Sequence, residues 1–67
     1  MRNRVRELRK EKNLRQEDLA NQLQVTRQTI IAIENNKYNP SLELALKMAR
    51  FFDTPVEEIF QLDENSS

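Results

Sequence analysis

Apolar residues recur along most of the chain at helical spacing, in short runs broken by polar residues. Val5 and Leu8, with Lys12 in the same row, mark one face of a first helix over about residues 3–12. Asn13 is a suitable left-handed stop, and Leu14 opens a short connection. Leu19, Ala20 and Leu23 repeat the pattern over 16–23. Gln24 and Val25 interrupt it. Thr26 is placed to cap a third helix over 27–35, with Val25 before it as a hydrophobic staple onto Ile30. Asn35 and Asn36 end that helix. Residues 37–40 read as a loop, because the residue preceding Pro40 is steered away from helical backbone. Ser41 then caps a helix over about 42–52, with Leu42, Ala45, Leu46, Ala49 and Phe52 expected on one inner face. Asp53 stops it. Thr54-Pro55-Val56-Glu57 combines a capping residue, a first-turn proline and an acid at the third position. A last short helix is therefore expected to run to about Phe60.

No stretch alternates like a strand, and the β-branched residues are scattered. The expected fold is all-α, five short helices in one domain over residues 1–62, with a polar tail over 63–67. The chain has no glycine. Helix ends that want a left-handed residue must use something else, and Asn13, Gln24, Asn36 and Asp53 stand at those ends. Asn and Asp tolerate that backbone and Gln less so. Replacing glycine narrows the unfolded ensemble and stabilises wherever the strain is small.

Helices two and three are separated only by Gln24-Val25-Thr26. Two short helices joined by so tight a turn form a helix-turn-helix, whose second helix lies in the major groove with its N-terminal residues at base edges. Two local rules are broken there. Arg15 precedes helix two and Arg27 sits in the first turn of helix three, and a cation facing the positive end of a helix costs about 0.3–1 kcal/mol. Such violations gather at functional positions. Both turn favourable when a phosphate or a guanine sits against the helix end. No acid stands between Asp18 and Glu34, so the third helix carries no repulsive charge before its last turn.

The formal net charge is zero, yet it is unevenly spread. Residues 1–40 hold nine Lys or Arg against five acids, and residues 41–67 hold two against six. This asymmetry suggests a basic face for a polyanion and a separate face for another contact. Cysteine and histidine are both absent, which removes disulfides, thiolate and imidazole metal sites, and histidine catalysis. No apolar run approaches the roughly 20 residues of a membrane span. The opening Met-Arg-Asn-Arg leads into an amphipathic stretch, not a signal region. The expectation is a cytoplasmic protein that takes no metal or cofactor and is not an enzyme.

Residues 5–60 resemble the phage-repressor type of helix-turn-helix, the xenobiotic-response-element family. The matching stretches are Leu14 to Ala20 (LRQEDLA), Val25 to Asn35 (VTRQTIIAIEN) and Tyr38 to Ala49 (YNPSLELALKMA). The resemblance implies a five-helix domain that binds double-stranded operator DNA, usually as a homodimer, and regulates transcription. It makes Gln16 a phosphate contact that braces the third helix. It makes Arg27 and Gln28 the base-reading pair, with Arg suited to guanine and Gln to adenine. Arg15 and Thr26 fall beside phosphate, although capping alone also explains Thr26. Ile31 and Ala32 take groove-facing positions, where Ile31 either touches a thymine methyl or is a surface residue without a role. Asn35, Lys37, Tyr38 and Asn39 fall in the loop that grips phosphates, with inward packing as the alternative for Tyr38. The resemblance also implies an internal ion pair between Arg9 and Glu34. Two departures stand out: the family usually has Ser or Thr at Arg15 and often glycine at Gln24.

A second apolar stripe on helix four, Leu44, Met48 and Phe51, is joined by Val56, Phe60 and Leu62 as an expected dimer surface on the acidic half. A chain this short hides only roughly 60% of the surface its unfolded form exposes, so surplus apolar residues suggest association. An alternative reading of the same stripe and acidic tail is an antitoxin-like module that binds a protein partner, with DNA binding secondary.

Overall fold

The computed structural model describes residues 1–63. Along the chain run β1 (Arg2–Asn3), α1 (Val5–Glu11), α2 (Gln16–Leu23), α3 (Arg27–Glu34), α4 (Leu42–Phe52), α5 (Val56–Ile59) and β2 (Phe60–Gln61). The five helices of the expected all-α fold are present, together with a pair of two-residue strands that the apolar pattern did not signal. β1 and β2 pair antiparallel, Arg2 opposite Gln61 and Asn3 opposite Phe60. Strands of two residues are too short to show alternation, so only tertiary contact reveals them. The pairing starts α1 at Val5, not residue 3, and ends α5 at Ile59, where Phe60 turns extended. Asp63, the first residue of the expected polar tail, accepts from the Met1 amino group at 3.1 Å. The remainder of that tail lies outside the described residues.

The helix stops follow one backbone rule. Asn13, Gln24, Asn36 and Asp53 all have φ between 51° and 61°. After each, the next amide closes a wide turn: Leu14 to Arg9 O at 3.1 Å, Val25 to Ala20 O at 3.0 Å, Lys37 to Ala32 O at 2.9 Å and Thr54 to Ala49 O at 3.0 Å. These bonds use carbonyls that the ending helix leaves free. The starts follow the expected caps in two cases. Thr26 Oγ1 accepts from the Thr29 amide at 3.2 Å, and Ser41 Oγ from the Leu44 amide at 3.2 Å. Thr54 does not cap α5. Its hydroxyl donates back to Phe52 O at 2.9 Å, and Pro55 takes the N-cap position.

One apolar core lies between the helices, with Val5, Leu19, Ile30, Ile33, Met48 and Ile59 fully enclosed. On α4 the inner face is Leu44, Ala45, Met48 and Phe52. At about 100° per residue these four span roughly 100° of the helix surface. Ala49 and Phe51 flank them half-buried, while Leu42 and Leu46 point to solvent, 74% and 54% exposed. The expected inner face is thus rotated. Leucine at 42, 44 and 46 gave α4 two competing apolar stripes, and periodicity alone cannot choose between them.

Because Gln24 holds a left-handed backbone without glycine, a β-branched residue there should be costly. Gln24→Val should destabilise by about 1 kcal/mol or more, lowering the melting midpoint by roughly 4–8 °C. Gln24→Asn should leave the midpoint unchanged or raise it. A Val variant melting with the parent in a thermal scan would contradict the turn as described.

Candidate nucleic-acid interface

The tight turn Gln24-Val25-Thr26 sets α3 against α2, with Leu19, Ala20, Leu23 and Ile30 buried between and beneath them and Val25 packed on that core. The Thr26 cap fixes the start of α3, so Arg27 and Gln28 stand exposed in its first turn. Neither makes an ion pair among the described residues. Arg27 shares a shallow polar depression with Arg9, Arg15, Gln16 and Glu17. Ile31 and Ala32 follow on the helix and are half-buried.

Arg15 occupies the N-cap of α2 without capping through its side chain. Asp18 does that work from the third position. One of its oxygens accepts from the Arg15 amide at 3.0 Å and from Nε at 3.2 Å. The other accepts from Nη2 at 3.3 Å. The carboxylate therefore covers both the free amide and the cation that α2's positive end disfavours. The Arg15 guanidinium, followed by its amide, holds the Asp18 carboxyl below the usual range.

The far end of α3 is anchored at Glu34. Its fully enclosed carboxylate receives Arg9 Nε at 2.7 Å and Nη2 at 3.2 Å, so the ion pair implied by the resemblance is present and bidentate. Gln16 Nε2 adds a bond at 3.2 Å and Arg6 Nε another at 3.4 Å. Arg9 also donates through Nη1 to Leu14 O at 2.8 Å, reaching the α1–α2 connection. Glu34 thereby ties α1, α2 and α3 together, and Gln16 braces the third helix as expected. Burial pushes the Glu34 carboxyl up. The hydrogen bonds from Arg9 and Gln16, with the Arg9 charge and the Arg6 bond, outweigh it and hold the group below the usual range.

Beyond α3 the loop residues Lys37, Tyr38 and Asn39 are exposed, and Tyr38 stays outside the core at 48% exposure. Asn35 is engaged within the protein, accepting from Arg6 Nη2 at 3.1 Å. Two contributors were missed in the sequence. Arg6 reaches both Asn35 and Glu34, and Asn3 holds the C-terminal end of α3. Asn3 Nδ2 donates to Ile33 O at 2.9 Å and Asn36 Oδ1 at 3.0 Å, while its Oδ1 accepts from the Val5 amide at 3.1 Å. An Asn two residues before the first apolar helical position signals such an Asx turn. Its reach to α3 had no local signal.

The expected dimer surface requires correction. Leu44, Met48 and Phe60 belong to the core, at most 8% exposed, so they are not available to a partner. Phe51 is half-buried, edge-on to Phe52 and with the Lys12 ammonium 5.5 Å from its ring centroid. Val56 is half-buried against the core, and only Leu62 of the set is openly displayed, at 73%. Among the described residues no helix is long and apolar enough to cross a membrane.

A braced helix pair with an open, basic start on its second helix defines a DNA-binding helix-turn-helix domain. The comparisons agree: the helix-turn-helix family model matches residues 5–59, and the chain belongs to that family. An uncharacterized HTH-type transcriptional regulator of Methanocaldococcus jannaschii is 52% identical over 65 residues, covering 97% of this chain and 98% of that protein. An uncharacterized HTH-type transcriptional regulator of Bacillus subtilis, YgzD, is 46% identical over 66 residues, covering 98% and 100%. The cryptic phage CTXphi transcriptional repressor RstR of Vibrio cholerae is 36% identical over 62 residues, covering 92% of this chain and 56% of that protein.

Glu34→Gln would leave the buried Arg9 cation without its counter-charge, a loss of about 3–5 kcal/mol for a pair this enclosed. The pH dependence has a definite sign. Folding lowers the Glu34 pKa, so its contribution is complete above the ordinary value of about 4.3 and fades as pH falls through the depressed folded value. Urea unfolding from pH 7 to pH 3 should show a weaker variant at pH 7 whose deficit shrinks toward pH 3. Parent-like stability at pH 7 would overturn the role given to this pair.

Proposed function

We propose that this chain is a sequence-specific transcriptional regulator, acting as a repressor, that binds an inverted-repeat operator as a homodimer through the major groove. The observation that carries this reading is the exposed, unpaired Arg27–Gln28 pair at the start of a helix held at both ends. Arg27 forks onto guanine O6 and N7, and Gln28 onto adenine N6 and N7. Thr26, Gln16, Arg15 and the loop residues Lys37, Tyr38 and Asn39 lie where phosphates flank the groove, and they set register without reading sequence. Asn35 contributes from the same edge while bonded to Arg6. Ile31 and Ala32 present a short apolar surface toward thymine methyls. Repression is supported by the phage relative, itself a transcriptional repressor.

Occupancy is the mechanism. Cations that neutralise phosphates release counterions and supply most of the affinity, while base contacts discriminate. Arg15 bonds Asp18 through Nε and Nη2, which leaves Nη1 for a phosphate. The antitoxin-like alternative loses most of its basis, because the long apolar stripe behind it is largely core.

Selection of random duplex DNA by the purified chain at two salt concentrations tests the reading. An inverted repeat with half-sites about ten base pairs apart is expected; binding without sequence preference would contradict it. On the selected site, Arg27→Ala should lose about 1–3 kcal/mol of discrimination at one base position. Lys37→Ala should weaken all sequences alike and reduce the salt slope by about 1. Competition titrations with single-base variants separate the two effects, and an Arg27→Ala variant with the parent's base preference would remove this residue from readout.

A further inference from the structure

The geometry points to the outward face of α4 as the surface on which two copies of this chain meet, an inference that rests on the dimeric reading above. The large apolar residues left exposed are Tyr38, Leu42, Leu46 and Leu62. The first three follow at intervals of four along the loop and onto α4, whereas Leu62 stands apart after β2. Leu42 and Leu46 form one row with Arg50, and Glu43 and Lys47 form the row beside it. Together these five line a shallow groove. An apolar row bordered by charge is the pattern of an association surface.

Two further features select a second copy as the occupant. A two-fold dimer on adjacent half-sites has its axis between the two reading helices, so the contact must lie beside the DNA-facing loop. α4 begins directly after that loop, at Leu42. The charges also match themselves. Glu43, Lys47 and Arg50 make no ion pair among the described residues. Glu43 lies near the start of the helix and Arg50 near its end. A two-fold axis crossing α4 at Leu46 sets Leu46 against its counterpart and Leu42 on the aliphatic stem of the other copy's Arg50. The same operation brings each Glu43 to the other copy's Lys47 and Arg50, so every opposite pair forms twice.

Sedimentation velocity of the full chain without DNA tests this. The parent should sediment as a dimer. Leu46→Glu should raise the dissociation constant at least about tenfold, because two carboxylates would face each other in the contact, with an unchanged far-UV spectrum because Leu46 is outside the core. Leu62→Glu should dimerise like the parent. Glu43→Arg and Arg50→Glu should each weaken the dimer, and the double variant should recover it. A dimeric parent with a Leu46→Glu variant that dimerises as well, or a double variant no better than the singles, would overturn the surface. A parent that is monomeric and protects one isolated half-site would instead refute the dimeric reading itself.

Discussion

The buried pair of Arg9 and Glu34 is the constraint on which the arrangement of the first three helices depends. A carboxylate this enclosed is tolerable only with its charge matched and its oxygens occupied. Arg9, Gln16 and Arg6 meet that requirement, and in doing so they fix where α1 and α2 lie relative to the end of α3. The exposed start of α3, where base reading is proposed, sits about 10 Å away along the helix at 1.5 Å per residue. The pair therefore works as a joint that sets the orientation of α3 against α1 and α2.

The second constraint is backbone geometry. With no glycine in the chain, four side-chain-bearing residues adopt left-handed conformations at helix ends. Each gives up some conformational ease in the folded state and reduces the freedom of the unfolded chain. For a domain of this size, with one modest core, fixed helix ends and the β1–β2 clasp set connection lengths that loose loops would not. Asn3 carries that order from the clasp to the Ile33 carbonyl, linking the β1–β2 pair to α3.

What was legible in the sequence was what is local. The four helix stops, the Thr26 and Ser41 caps and the tight α2–α3 turn follow from neighbouring residues. The exposure of Arg27 and Gln28 follows from them. The Arg9–Glu34 pair was legible through family resemblance, since no spacing rule joins positions on α1 and α3. What escaped was set by tertiary packing. The rotation of α4 depended on which of two leucine-rich stripes met the core, so Leu44 and Met48 were assigned outward and Leu42 and Leu46 inward. The two-residue strands and the reach of Asn3 and Arg6 have no periodic signature. Arg15 stood in the sequence as a cation against the start of a helix, and the cover that Asp18, a first-turn acid, folds back over it was not foreseen.

The central claim is that DNA is read by the start of α3, flanked by the start of α2 and the loop after α3. Its most direct test is amide chemical-shift mapping of the labelled chain titrated with its selected duplex. The account predicts the largest changes at Gln16, at Thr26 to Gln28 and at Lys37 to Asn39. Changes centred on α1 or α5, with the first turn of α3 unmoved, would contradict it.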